Sequence, residues 1–290
     1  MATGTNTTTN IDDTVRPMLA ASRYTMEFVP VMKQLPRQER LPKGQGTGFK
    51  YPKWGTISDA QDLTQGIDIT QSQRITDSIA TITPTEVGQK VVITDRTIDT
   101  VTANMWTVIG KLMGDAMARK IDKDGLTMLD GFGTIIGAAG TALTHEHLAA
   151  ARSAILGGAE PAPSNAPVFG VFHPHQLHPL YKDQAVAGTY PIPSGLTEKL
   201  IKSGQVDMSV AGVALKADGN LTKDASDDAK GGVFSKEALI LVMDSAPRHY
   251  KEHRGSLRGW EVVDSIWYAY GEYKDDWGRE MVFDSVTPTS

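Results

Sequence analysis

The chain contains no cysteine, which excludes disulfides, thiolate metal centres and cysteine nucleophiles together and suits a reducing compartment. It also has no run of 18 or more apolar residues, so nothing in it reads as a membrane-spanning helix. The opening stretch, Met1 to Asn10, is rich in Thr and Asn and has neither a basic start nor an apolar segment, so it is not a secretory signal. Positive charge is in deficit: 29 Lys and Arg against 34 Asp and Glu leave a net charge of −5, which argues against a protein whose main task is to grip a nucleic-acid backbone. The common catalytic signatures are missing too. There is no Gly-x-x-x-x-Gly-Lys-Ser/Thr loop and no Gly-x-Ser-x-Gly elbow. The glycine-rich stretch Gly131 to Gly137 follows a helical pattern, where a nucleotide-binding loop would follow a strand.

What is present points to construction. With 290 residues and 40% hydrophobic content the chain can bury a substantial core as one large domain or two ordinary ones. Its charge is unevenly spread. Between Val31 and Ile57 lie Lys33, Arg37, Arg40, Lys43, Lys50 and Lys53 against Glu39 alone, so this segment carries +5 while the remainder carries −10. A solvated basic loop would look the same, but the split also suits head-to-tail contact between copies.

Periodicity orders the rest. Phe49, Tyr51 and Trp54, flanked by Gly and Pro, fit a short ribbon. From Ile75 to Thr83 the two-residue period of a strand is followed by Pro84-Thr85 and a second strand, Val87 to Thr94, read as a hairpin. Asp95 is then the expected N-cap of one long helix reaching Leu129, with Ile98, Val101, Met105, Val108, Ile109, Leu112, Met113, Ala116, Met117 and Ile121 on its apolar side. At 1.5 Å per residue such a helix spans roughly 50 Å. Asp122-Lys123-Asp124-Gly125 faintly echoes a calcium loop but lacks its remaining acidic positions, and reads as the solvated end of that helix.

Thr144 is placed to cap a second helix stopped by Gly157-Gly158, and after a proline-bounded shift comes the apolar strand Val168 to Phe172, with His173-Pro174 as cap and first residue of another helix. Val206 to Ala217 reads as paired short strands, Asp218 to Gly231 as a polar loop, and Ala238 to Met243 as a buried strand. Val262 to Gly271 and Met281 to Phe283, separated by a turn at Lys274-Asp275-Asp276, read as a terminal hairpin. His145 with His147, and His173 with His175 and His178, invite a metal reading. No ligand set of known spacing is complete, and caps explain these positions better.

The order of these features resembles the major capsid proteins of tailed bacteriophages, with their Hong Kong 97-type α+β fold. The residues that carry the resemblance are Pro52-Lys53-Trp54-Gly55, Leu63 to Ile69, Glu86-Val87-Gly88, Val91 to Asp95, Ala116 to Asp122, Val171-Phe172-His173-Pro174 and Phe234 to Leu239. The resemblance implies an N-terminal arm over 1–40, an extended E-loop over 41–85, a P-domain with the spine helix over 86–160, an A-domain over 161–245, and P-domain strands with the C-terminus over 246–290. It further implies a non-enzymatic subunit that assembles with itself as pentamers and hexamers into an icosahedral shell in the virion, after assembly in the host cytoplasm. The shell would enclose double-stranded DNA contacted weakly and without sequence specificity. A portal, a decoration protein and a scaffolding protein are the further partners. The last is expected as a separate chain, because no long helical segment precedes the arm.

No catalytic, cofactor or metal residues are assigned. The residues expected at the contact between subunits are Arg40, Lys43, Lys50 and Lys53, lying across an acidic neighbour surface, with Trp54 buried there. Two other readings stay open: an encapsulin-like compartment enclosing cargo enzymes, and a soluble two-lobed enzyme or ligand-binding protein.

Overall fold

The computed structural model describes residues 5–6, 30–40, 48–55, 57, 59–60, 62–63, 65–66, 72–100, 105–158, 160–185, 209–243 and 247–288. In chain order the strands are β1 (Thr5–Asn6), β2 (Arg37–Arg40), β3 (Phe49–Trp54), β4 (Asp77–Ile82), β5 (Thr85–Thr94), β6 (Ile135–Gly137), β7 (Val168–Phe172), β8 (Ser209–Val210), β9 (Val213–Ala217), β10 (Asp228–Ser235), β11 (Leu239–Met243), β12 (Arg248–Arg254), β13 (Gly259–Glu272) and β14 (Gly278–Asp284). The helices are α1 (Asp95–Thr100), α2 (Met105–Thr127), α3 (His145–Leu156) and α4 (Pro174–Ala185).

Among the described residues the strands form three sheets. The first runs β1-β5-β13-β11-β2, with β12 also on β13; the second runs β6-β14-β10-β7-β9-β8; the third is the ribbon β3-β4. One face of the first sheet packs on α2. Ile109, Met113, Met117 and Ile121, four residues apart, bury against Ile93, Val262, Ile266, Leu241 and Tyr268. Each such side chain taken out of water contributes about 1.5–3 kcal/mol, which holds the long helix to the sheet more firmly than its intrinsic propensity could. The second sheet is covered by α3 and α4, where Leu148, Ala151, Ile155, Leu177 and Leu180 meet Phe172, Val213, Val233 and Phe283. Between the two layers Met32, Leu35, Leu126, Leu129, Phe132, Phe234 and Leu239 form a joint core.

Local signals explain several boundaries. The Thr144 N–H donates to His147 Nδ1 at 3.3 Å at the start of α3, and Gly157 N–H returns to the Ser153 carbonyl at its end. His173 caps α4: its Nδ1 accepts from His175 N–H at 3.2 Å while its own N–H donates to Gln176 Oε1 at 3.0 Å. Strands β8 and β9 are joined by Ala211-Gly212 with φ of 50° and 78°, a two-residue turn whose left-handed backbone matches hairpin twist.

Other expectations are corrected. The helix from Asp95 to Leu129 is α1 followed by α2, with residues 101–104 outside the described set, and α2 alone spans about 35 Å. Its cap is one residue earlier than expected, because Thr94 Oγ1 accepts from Thr97 N–H at 3.3 Å. Leu112 is half exposed, on the side of α2 turned from the sheet. Asp122 is fully buried, not solvated, and accepts the N–H groups of Val31 and Met32 at 2.8 and 2.9 Å.

The two strands flanking Pro84 do not form a hairpin. β4 pairs with β3, and β5 pairs with β13 over ten residues, so buried Pro84 marks the passage from one sheet to another. The loop expected over Asp218 to Gly231 ends at Asp227, and β10 starts at Asp228. Nor do the last two strands pair with each other. β13 lies in the first sheet, and a 3-10 turn at Asp275–Trp277 delivers β14 to the second.

Candidate assembly interface

The basic segment begins on a firm base. β2 lies parallel to β11 at the edge of the first sheet, with Arg40 opposite Met243 and exposed. Lys43 falls in 41–47, outside the described residues, and the chain is described again where β3 pairs antiparallel with β4.

The register of that ribbon sorts its side chains into two faces, because directly opposed residues of an antiparallel pair share a face. Phe49 with Ile82, Tyr51 with Ala80 and Lys53 with Ser78 form one; Lys50 with Thr81, Pro52 with Ile79 and Trp54 with Asp77 form the other. The first face turns toward the body. Ile82 is buried, and with Phe49 and Tyr51 it packs on Ile240, Val242, Ala269 and Tyr273. The Tyr51 and Tyr273 rings meet edge-on at 4.8 Å. The Arg37 guanidinium lies 5.3 Å from the Tyr51 ring and pairs with Glu39 at 2.7 Å and Glu237 at 3.0 Å. Lys53 Nζ lies 5.6 Å from the Tyr273 ring. Burial and then Asp275 raise the Glu272 carboxyl above its ordinary value, with Lys53 acting in the opposite sense.

The second face is open. Trp54 is 66% exposed and Ile79 62%, with Pro52 opposite Ile79 and Lys50 on the same face. Further along the same excursion Ile57, Leu63 and Ile75 are each more than half exposed. Large apolar side chains gathered on one open face make the ribbon a candidate interaction site. Of the five residues expected at the contact, Lys50 and Trp54 therefore share the outward face and Lys53 occupies the opposite one. Arg40 stands at the root of the excursion. Sequence reasoning passed over Pro52 and Ile79, although the alternation Lys50, Pro52, Trp54 against Phe49, Tyr51, Lys53 carried the signal.

Other candidates have structural roles. A cleft of about 520 Å³ between the ribbon and the loop before β7 is lined by Tyr51, Pro163, Pro167, Tyr273 and Trp277, with Arg37 paired to Glu237 within it. Gly133 N–H donates to Asp275 Oδ1 at 2.7 Å, and Ile135–Gly137 pairs with β14, so the glycine-rich stretch is built into the sheet. Among the described residues no group of His, Asp and Glu is arranged to hold a metal, and no helix is long and apolar enough to cross a membrane.

Comparison with known proteins gives this geometry its setting. Residues 78–284 match the family model described as phage capsid protein. No curated protein matches. Among solved structures, the capsid of cyanophage P-SCSP1u is similar at 17% identity and a TM-score of 0.69, covering 96% of this chain and 95% of that one. The head of Helicobacter pylori bacteriophage KHP40 is similar at 10% identity and 0.68, covering 97% of each. A Mycobacterium phage Che8 structure is similar at 16% identity and 0.67, covering 90% and 93%. These likenesses establish the Hong Kong 97-type fold. The role is structural, in the capsid of a virion whose lattice is built by self-association. With the family match running over most of its length, the chain belongs to the phage capsid protein family.

Proposed function

We propose that this capsid subunit assembles as pentamers and hexamers into an icosahedral shell around double-stranded DNA, and that the excursion over 41–85 lies across a neighbouring subunit. The observation that carries the reading is the two-sided ribbon: one face fastened to its own body through Ile82, Phe49 and Tyr51, the other offering Trp54, Ile79 and Lys50. Arg40, Lys43 and Lys50 meet acidic groups of the neighbour, and Trp54 is covered there. Lys53 serves the internal contact with Tyr273 and orients the ribbon.

The arm takes 1–40, the E-loop 41–85, and the P-domain with the spine helix 86–160. The A-domain is built on 161–245 and the remaining P-domain strands on 246–290. Strand pairing supports two exchanges: β11 joins the P-domain sheet and β14 the A-domain sheet. Assembly takes place in the host cytoplasm with a separate scaffolding protein, a portal and a decoration protein. The net charge of −5 favours a weak, sequence-independent contact with the packaged DNA.

The test is a double charge reversal, Lys43→Glu with Lys50→Glu, in the full chain. Light scattering and negative-stain electron microscopy should find shells or capsomers for the parent and folded, unassembled subunits for the variant. Normal shells from the variant would sink the reading. Exposed ion pairs contribute only ~0.5 kcal/mol each, so the defect should arise from summation over the shell and should shrink relative to the parent as salt screens the reversed charges. Shells filled with protein and free of nucleic acid would point to cargo enclosure instead.

A further inference from the structure

We infer that Asp122 and Asp218 share a single proton and together form a pH-sensitive latch fastening the root of the arm, and the turn that follows β9, to the long helix. The latch is a property of the folded subunit and does not depend on the assembly reading.

The geometry is that of a joint between three elements. Asp122, on α2, is 0% exposed. Its Oδ1 accepts Val31 N–H at 2.8 Å and Met32 N–H at 2.9 Å, which ties the arm root to the helix. Its Oδ2 accepts the Asn220 side-chain amide at 2.9 Å, which ties in the turn after β9. Asp218 is 1% exposed and hydrogen-bonds with Asp122. One of its oxygens accepts the Asn220 N–H at 2.8 Å, while the other, Oδ2, is buried and receives no donor among the described residues.

Two carboxyl groups in hydrogen-bonding contact in a dry site cannot both be ionised without a large repulsive cost. A proton on Asp218 removes the conflict, because the acid O–H then donates to Asp122, whose remaining partners are all N–H donors. Those three N–H groups also disfavour a metal ion, since they require Asp122 to be an acceptor of hydrogen bonds.

The surrounding groups add negative potential. Asp124, two residues along α2, accepts the Tyr268 hydroxyl at 2.6 Å and pairs with Lys120 at 2.6 Å. Tyr268 and Tyr270 of β13 are both held protonated well above the ordinary phenol range, Tyr270 by burial and then by Asp122 and Asp124. Lys33 on the arm root and Lys123 on the helix are exposed. Burial first, then the bond to Asp122, pushes the Asp218 carboxyl from 3.8 up to about 7. The folded joint thus keeps a proton that the unfolded chain gives up near 3.8. Its contribution is fully present in acid and is lost as pH rises through about 7. Opening it leaves Val31 and Met32 without their acceptor.

The test uses hydrogen exchange in the full chain, followed over the peptide containing Val31 and Met32 and corrected for the intrinsic pH dependence of exchange. Protection should fall about tenfold per pH unit between roughly pH 4 and pH 7 and level off above it, as linkage of one proton between 3.8 and about 7 requires. In Asp218→Asn, whose amide donates to Asp122 without titrating, protection should be independent of pH. A flat wild-type profile, or an equal slope in the variant, would overturn the proposal. Should that variant fail to fold, wild-type infrared spectra decide: a protonated-carboxyl band present near pH 6 and gone near pH 8 supports the shared proton, and its absence near pH 6 refutes it. Restoration of protection by calcium near pH 8 would assign the pair to a cation and also refute it.

Discussion

Gly125 of α2 passes so close to Met32 that a β-carbon built on it would stand 2.8 Å from Met32 Cβ and 2.9 Å from Tyr270 Cζ. Here the segment before β2, the helix and the first sheet meet. Helix propensity alone favours Ala over Gly by about 1 kcal/mol. Overpacking at this joint should outweigh that gain, so Gly125→Ala is expected to destabilise the subunit by about 1–3 kcal/mol. Gly110 of the same helix supplies the contrast. It is exposed with nothing within 4 Å of a built β-carbon, and Gly110→Ala should stabilise by about 1 kcal/mol. Urea denaturation of both variants checks the pair, and shifts of the same sign would contradict this account.

What the sequence made legible was local. Val168 to Phe172 and Leu239 to Met243 are unbroken apolar runs and form the buried strands β7 and β11. Thr144 and His173 have short-range partners and cap as expected. Asp122 was read as solvated because the residues around it, Lys120, Lys123 and Asp124, are polar. Its partners, Val31, Met32 and Asn220, lie some ninety residues away in both directions, and no local period reports them. β12 escaped for a related reason: every one of its seven residues is exposed, so it has no apolar alternation. Its side chains are fixed by distant rings, with Lys251 Nζ 3.4 Å from the Trp106 ring and 4.5 Å from the Trp260 ring. Of the candidate site, the basic segment and Trp54 could be read directly. The division of Lys50 from Lys53 depended on the β3-β4 register.

That division predicts opposite phenotypes. Trp54→Ala removes an outward side chain with no described role in its own fold, so thermal stability should stay within about 0.5 kcal/mol of wild type while light scattering reports lost assembly. Tyr273→Ala removes the ring that both Tyr51 and Lys53 contact. It should lower stability by about 3 kcal/mol, in the range for loss of a packed aromatic side chain. Full assembly of Trp54→Ala would detach Trp54 from the proposed interface.

His173 supplies a pH dependence of the opposite sense to that of Asp218. Burial first, then His175 and Lys223, lowers its imidazole from 6.5 to about 4. Its Nδ1 serves as an acceptor for His175 N–H and lies 2.9 Å from Ser285 Oγ. The unfolded chain binds a proton at 6.5, whereas the folded one resists to about 4. The stabilisation is therefore complete above the higher value and drains as pH falls toward the lower. It amounts to at most about 3 kcal/mol. His173→Asn keeps a capping side chain without titrating. The difference in unfolding free energy between wild type and variant should change between pH 7 and about 4.5 in the direction of wild-type loss. A constant difference would remove His173 from the acid response.

The ribbon's hold on its own subunit includes one buried side chain, Ile82, whose part can be separated from assembly. Ile82 is 7% exposed, packs with Ile240 and Val242, and reaches over Gly271, where a β-carbon would collide with its terminal methyl. Ile82→Ala should weaken this contact by about 2–4 kcal/mol. The loss falls mostly on the β3-β4 ribbon, because α2 and the second sheet have cores of their own. Limited trypsin digestion should therefore cut at Lys50, Lys53 or Arg74 at least about tenfold faster in the variant, since cleavage follows the population of the locally open state. Cooperative unfolding of the remainder should shift much less. Unchanged cleavage would mean that Arg37 and Tyr273 hold the ribbon without Ile82, and that its outward face is oriented by polar and ring contacts instead of by the small apolar cluster beneath it.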